Sequence, residues 1–96
     1  MVVSMFQIIL ELPETGSIKD KRRLVKGLCE RLRSKYRVSC AEVDLNDSLR
    51  WAQLGAALVS NSKEHGETVM RKALETVEIQ AGLRVHDMQV HSEVFD

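Results

Sequence analysis

Aromatic residues are scarce. Two Phe, one Tyr and one Trp make up 4% of the 96 residues. An RNA-recognition motif stacks bases on aromatics of its sheet. The candidate central strand "QLGAALVS" carries none and Phe6 falls on a core-facing position, so that mode is not expected. Proline occurs once and glycine five times, and no linker, repeat or low-complexity segment interrupts the chain. Neither GxGxxG nor GxxxxGK[ST] occurs, so no phosphate-cradling Gly-rich loop is present. The two cysteines, Cys29 and Cys40, match no metal or redox spacing and read as reduced thiols of a cytosolic protein. His65, His86 and His91 lack tight ligand spacing, and on a regular strand His86 and His91 face opposite sides. No metal and no cofactor is expected. The run "MVVSMFQIIL" lacks the basic start and cleavage site of a signal peptide, and it falls short of the ~20 apolar residues that span a bilayer. A cytoplasmic protein with no membrane partner is the expectation.

What is present alternates cleanly between two periods. Val2 to Leu12 has period two, with Phe6, Ile8, Leu10 and Leu12 on one side, and reads as a strand. Pro13 and Gly16 end it. Ser17 offers an N-cap, and Asp20 adds negative charge to the first turn. From Ile18 to about Tyr36 the period is helical, with Leu24, Val25, Leu28, Cys29, Leu32 and Tyr36 on one stripe. "RVSCAEVD", Arg37 to Asp44, reads as a second strand and "LNDSLRWA" as a polar connection. "QLGAALVS", Gln53 to Ser60, is a third strand whose Gly55, Ala56 and Ala57 suggest the close approach of a helix or another backbone. Asn61, with Glu64 three residues on, or Ser62 caps a second helix that runs to about Gln80. Gly82 stops it. Leu83 to Phe95 is a fourth strand.

The order βαββαβ, with right-handed crossovers, places both helices on one face of a four-stranded antiparallel sheet. The expectation is an α+β fold, a ferredoxin-like sandwich forming a single domain over residues 1–96. The other sheet face is left open. Met5, Gln7, Ile9 and Glu11 are assigned to it from the first strand, and Val38, Cys40, Glu42 and Asp44 from the second. Met5, Ile9 and Val38 side by side would form an apolar patch, the mark of an interface, so a homo-oligomer is expected.

Charge is distributed unevenly. The formal net charge is zero, yet residues 17–37 hold nine Lys and Arg against Asp20 and Glu30. That segment carries +7 and the remainder −7. At about 100° per residue, Arg22, Arg33, Lys26, Lys19 and Arg23 fall within one arc of about 100° on the helix's outer side. Only Glu30 interrupts them. A solvated helix face usually mixes signs, and this one is five to one. Such a ridge neutralises backbone phosphates and gives salt-dependent binding without sequence readout. An acidic protein surface and a plain solvated face are the alternatives. Lys21 stands apart, inside the apolar stripe at the helix start, where its side chain is expected to snorkel out and serve packing.

Enzymatic constellations are missing. "PETGS" after the first strand supplies no Arg for an acylphosphatase-type loop. Cys29 lies on the apolar stripe, and Cys40 has no base named beside it. Glu42 and Asp44 sit about 7 Å apart along a strand and read as a solvated pair rather than a catalytic dyad. Trp51, the only Trp, is either a lid over the core edge or an interface anchor.

Three segments, "SIKDKRRLVKGL", "VSCAEVD" and "AQLGAALVSN", resemble in order and spacing the YlxP-like family of small bacterial proteins, a domain-of-unknown-function family. The resemblance runs from Val2 to about Val94. It falls on Ser17, Lys19, Lys21 and Arg22, on Glu42 and Asp44, and on Gly55, Ser60 and Asn61. One departure is visible: where relatives carry an aromatic in D-x-W, "DSLRW" has Leu49, with Trp51 two places later. The resemblance implies a ferredoxin-like fold and no established activity. The family's genes stand among those for translation initiation and ribosome maturation, which implies an RNA or ribosome link.

The sequence thus supports a non-enzymatic RNA- or ribosome-associated binder that uses Lys19, Arg22, Arg23, Lys26 and Arg33. Its alternative is a structural or ligand-sensing homodimer acting through the open sheet face, with Met5, Ile9, Val38 and Trp51 at the interface.

Overall fold

A computed structural model describes residues 1–96. The order is β1 (Val2–Glu11), α1 (Ile18–Tyr36), β2 (Ser39–Asp44), β3 (Trp51–Ser60), α2 (Lys63–Glu75) and β4 (Arg84–Val94). The strands line up as β2-β3-β1-β4, every neighbouring pair antiparallel. Both helices pack on one face, so the ferredoxin-like sandwich is the observed fold. Phe6, Ile8, Leu10 and Leu12 are all buried, as their alternation requires. They meet Val25, Leu28, Cys29 and Leu32 of α1 and Met70, Ala73 and Leu74 of α2. No helix is long and apolar enough to cross a membrane.

Local chemistry sets the helix ends. The Ser17 hydroxyl accepts from the Asp20 amide at 3.1 Å, satisfying one free donor of the first turn of α1. At the other end Arg37 takes a left-handed conformation, φ 56°, and its amide reaches the Arg33 carbonyl. Arg37 therefore caps α1 and does not open β2. α2 is capped by Ser62, whose hydroxyl accepts from the His65 amide. The alternative cap at Asn61, with its Glu64 box, is not formed. After Glu75 the chain winds through a wider π-helical turn, Thr76–Gln80. The Tyr36 hydroxyl bonds Thr76 Oγ1 and the Lys72 carbonyl, joining the ends of the two helices.

The parity of β2 is the main correction. Val38 and Cys40 are 5% exposed and lie in the core, not on the open face. Glu42 follows them to the helix side, while Ser39 and Ala41 pair with Ala57 and Gly55 on the open side. A one-residue shift of register moves every side chain to the opposite face, and β2 carries small or apolar residues in both sets. Its direction is fixed by what lies beneath: the Cys29 thiol meets Cys40, and the Lys21 ammonium meets Glu42. A register shift between Glu42 and Asp44 then separates those two carboxylates.

β4 carries the second correction. Asp87 has φ 43°, and the register with β1 shifts between Gln7 and Ile9. This bulge adds one residue. His86 therefore pairs with Ile9 and His91 with Met5, both on the open face.

Candidate functional site: the outer face of the first helix

α1 presents Lys19, Arg22, Arg23, Lys26 and Arg33 to solvent, and all five are exposed. None makes an ion pair; the three in the molecule are Lys21–Glu42, Arg50–Glu11 and His91–Glu93. Glu30, the one acid within the strip, is also unpaired. The Arg33 guanidinium bends back to the edge of the sheet, where it donates to the Cys40 carbonyl. Four of the five cations are thus free to meet a partner, and the fifth fastens α1 to β2. Exposed ammonium and guanidinium groups held on one rigid helix suit an extended polyanion, since no local carboxylate must first be displaced.

Lys21 explains how the strip is oriented. It is fully buried, and its side chain does not snorkel to water. Nζ donates to the Leu45 carbonyl at 2.6 Å and lies 3.0 Å from Glu42 Oε2. The Glu42 contact is ionic rather than an aligned hydrogen bond. A buried ammonium is tolerable only when paired and bonded. Leu45, at φ 63°, turns its carbonyl toward the lysine. Lys21 therefore ties the start of α1 to the β2–β3 connection and fixes the rotation of the helix. With Lys21 turned inward, Lys19, Arg22 and Arg23 are turned outward.

The open sheet face forms a second surface. Met5, Gln7, Ser39, Ala41, Gly55, Ala57, Gln89 and His91 surround a shallow depression of about 640 Å³. Its floor is low because Ala41, Gly55 and Ala57 carry almost no side chain. Met5 and Ile9 are half-buried there, while Val38, assigned to this patch from the sequence, lies beneath the sheet. Trp51 is the first residue of β3 rather than part of the connection. Its ring meets His86 edge-on, centroids 5.1 Å apart, and Arg50 lies 5.8 Å from the ring centre. The alternation Trp51, Gln53, Gly55 against Ala52, Leu54, Ala56 carries the signal that places Trp51 on this face. The His86 neighbour depends on the β4 bulge, which no local motif announces.

The comparisons agree with this fold and leave activity open. A de novo designed protein with ferredoxin fold, solved by NMR, matches 99% of this chain and 88% of its own at TM-score 0.56 and 12% identity. The uncharacterized protein YlxP of Bacillus subtilis (strain 168) is 29% identical over 65 residues, which span 68% of this chain and 71% of that protein. The family described as "Protein of unknown function (DUF503)" matches residues 3–90, and the chain, a YlxP-like protein, belongs to it.

Proposed function

We propose that this protein is a non-enzymatic RNA-binding protein, associated with the ribosome, that docks the outer face of α1 on the phosphate backbone of structured RNA. One observation carries the reading: Lys19, Arg22, Arg23 and Lys26 stand exposed and unpaired on a single helix face in a chain of zero net charge. Each neutralised phosphate adds about 0.7–0.9 to the steepness of the log–log salt dependence, so four free cations give a slope of about −3. Fluorescence anisotropy with a labelled ribosomal RNA helix, titrated over a range of salt, tests this. A slope near zero, or equal binding to an uncharged nucleic-acid analogue, contradicts it.

A second reading rests on the open sheet. Strands of 10, 6, 10 and 11 residues, about 4.8 Å apart and rising about 3.4 Å per residue, present a face of about 600 Å². Two copies joined there would bury about 1,200 Å², at the low end of stable interfaces. Light scattering at high micromolar concentration decides it, and a monomer there counts against the dimer. The two readings use opposite faces, so a sheet-to-sheet dimer would carry two outward α1 strips.

A further inference from the structure

Two nucleophilic side chains that RNA binding does not use meet inside the sandwich. Cys29 lies on the inner stripe of α1, and Cys40 on the helix side of β2. Both are free and buried. Their Sγ atoms are 3.5 Å apart, the Cys40 thiol donating to the Cys29 sulfur. We propose that Cys29 and Cys40 are an oxidation site, which a hydroperoxide converts into an intramolecular disulfide joining α1 to the edge strand β2.

The fold already brings the two sulfurs together. A disulfide needs the sulfurs at about 2.05 Å, so they must close by about 1.5 Å between two elements that already pack together. The two thiols also differ. The hydrogen bond from Cys40 and the nearby Arg33 guanidinium hold the Cys29 thiol below the usual thiol range, against its burial. The same hydrogen bond and burial push the Cys40 thiol up. Cys29 is therefore the attacking sulfur and Cys40 the resolving one. Access comes through β2, a six-residue strand at the sheet edge. Short edge elements open locally at lower cost than the core.

The chemistry balances. The Cys29 thiolate attacks a peroxide oxygen; an S–O bond forms and the O–O bond breaks. The leaving oxygen takes the proton Cys29 gave up and departs as an alcohol, or as water from hydrogen peroxide. Cys40 then attacks the Cys29 sulfur. An S–S bond forms, the S–O bond breaks, and hydroxide leaves with the Cys40 proton as water. The two thiols lose two electrons and the peroxide gains them.

The test treats the full chain with hydrogen peroxide, then denatures it, blocks free thiols with iodoacetamide and measures intact mass. The expected result is loss of two hydrogen masses, no alkyl label, and linkage of the tryptic peptides Gly27–Arg31 and Val38–Arg50. In Cys40→Ala, Cys29 should stop at the sulfenic acid and take up dimedone. The wild-type measurement decides the proposal by itself should that variant fail to fold. Two alkyl labels per chain, after exposure that oxidises the same chain unfolded in urea, would overturn the proposal. So would disulfides formed only between copies, or sulfinic acid at both positions.

Discussion

The two helices lie in one layer on the same sheet and are built alike on their inner sides. Each begins at a serine whose hydroxyl accepts from the amide three residues on, at 3.1 Å in both. Each buries an apolar stripe. Each also places one unusual residue against the sheet. α1 puts Lys21 there, paired with Glu42; α2 puts Gly66 there, where an added Cβ would lie 2.0 Å from Ser4 Oγ. Outside, they part. Lys21 aside, α1 carries seven Lys and Arg against Asp20 and Glu30. α2 carries Lys63, Arg71 and Lys72 against Glu64, Glu67 and Glu75. The sandwich needs only the inner stripes, and α2 shows that a balanced outer face serves the fold equally well. The cation-rich face of α1, Arg33 apart, is an addition that packing does not require.

Disturbing the two unusual inner residues should have the largest effects. Lys21→Ala leaves the Glu42 carboxylate, 13% exposed, without its partner, and breaking a buried pair costs about 3–5 kcal/mol. Urea denaturation should show that loss, and Lys21→Met combined with Glu42→Leu should recover at least half of it. A cost near that of a surface change would mean that Lys21 does not anchor α1. Gly66→Ala follows. Its Cβ would also lie 2.8 Å from Ser4 Cβ, so α2 must lift from β1 at about 1–3 kcal/mol of overpacking. Placing it in a Ser4→Ala background relieves only part, because the Cβ remains.

Smaller changes sharpen the likeness of the two helices. Ser17→Ala and Ser62→Ala should each lower stability by about 1 kcal/mol, and nearly equally, since both caps share one geometry. A difference larger than the caps themselves would show that one helix end is held by something else. Gly27 on α1 has nothing within 4 Å of an added Cβ. Gly27→Ala should therefore stabilise by up to about 1 kcal/mol through helix propensity, opposite in sign to Gly66→Ala. Thermal melts of the pair give the comparison directly.

The element order and the inner stripes can be read from the residues, because each element carries its own period and α1 its own cap. The exposure of the five cations follows from the helical wheel alone. What the residues do not show has long-range causes. β2 has two similar residue sets, and its parity is decided by Cys29 and Lys21 on another element. The bulge at Asp87 moves His86 onto the face of His91 and beside Trp51. The helical pattern sets Lys21 apart as a packing residue, but its acid partner lies 21 positions away, beyond the reach of that pattern. The wheel also groups Arg33 with the other cations, and only the tertiary fold reveals its bond to the Cys40 carbonyl.

The charge on α1, unlike that on α2, is proposed to serve an RNA partner. The direct measurement is anisotropy with the same ribosomal RNA helix for wild type and two triple reversals. One is Arg22→Glu, Arg23→Glu and Lys26→Glu on α1; the other is Lys63→Glu, Arg71→Glu and Lys72→Glu on α2. Surface changes of this kind cost within about 0.5 kcal/mol each, so both variants should remain folded by circular dichroism. Wild type and the α2 variant should bind with a log–log salt slope near −3, at about 0.7–0.9 per neutralised phosphate, while the α1 variant no longer binds. Equal weakening by the two reversals, or binding by none of the three chains at low salt, would contradict the RNA reading and leave α1 with a merely solvated face.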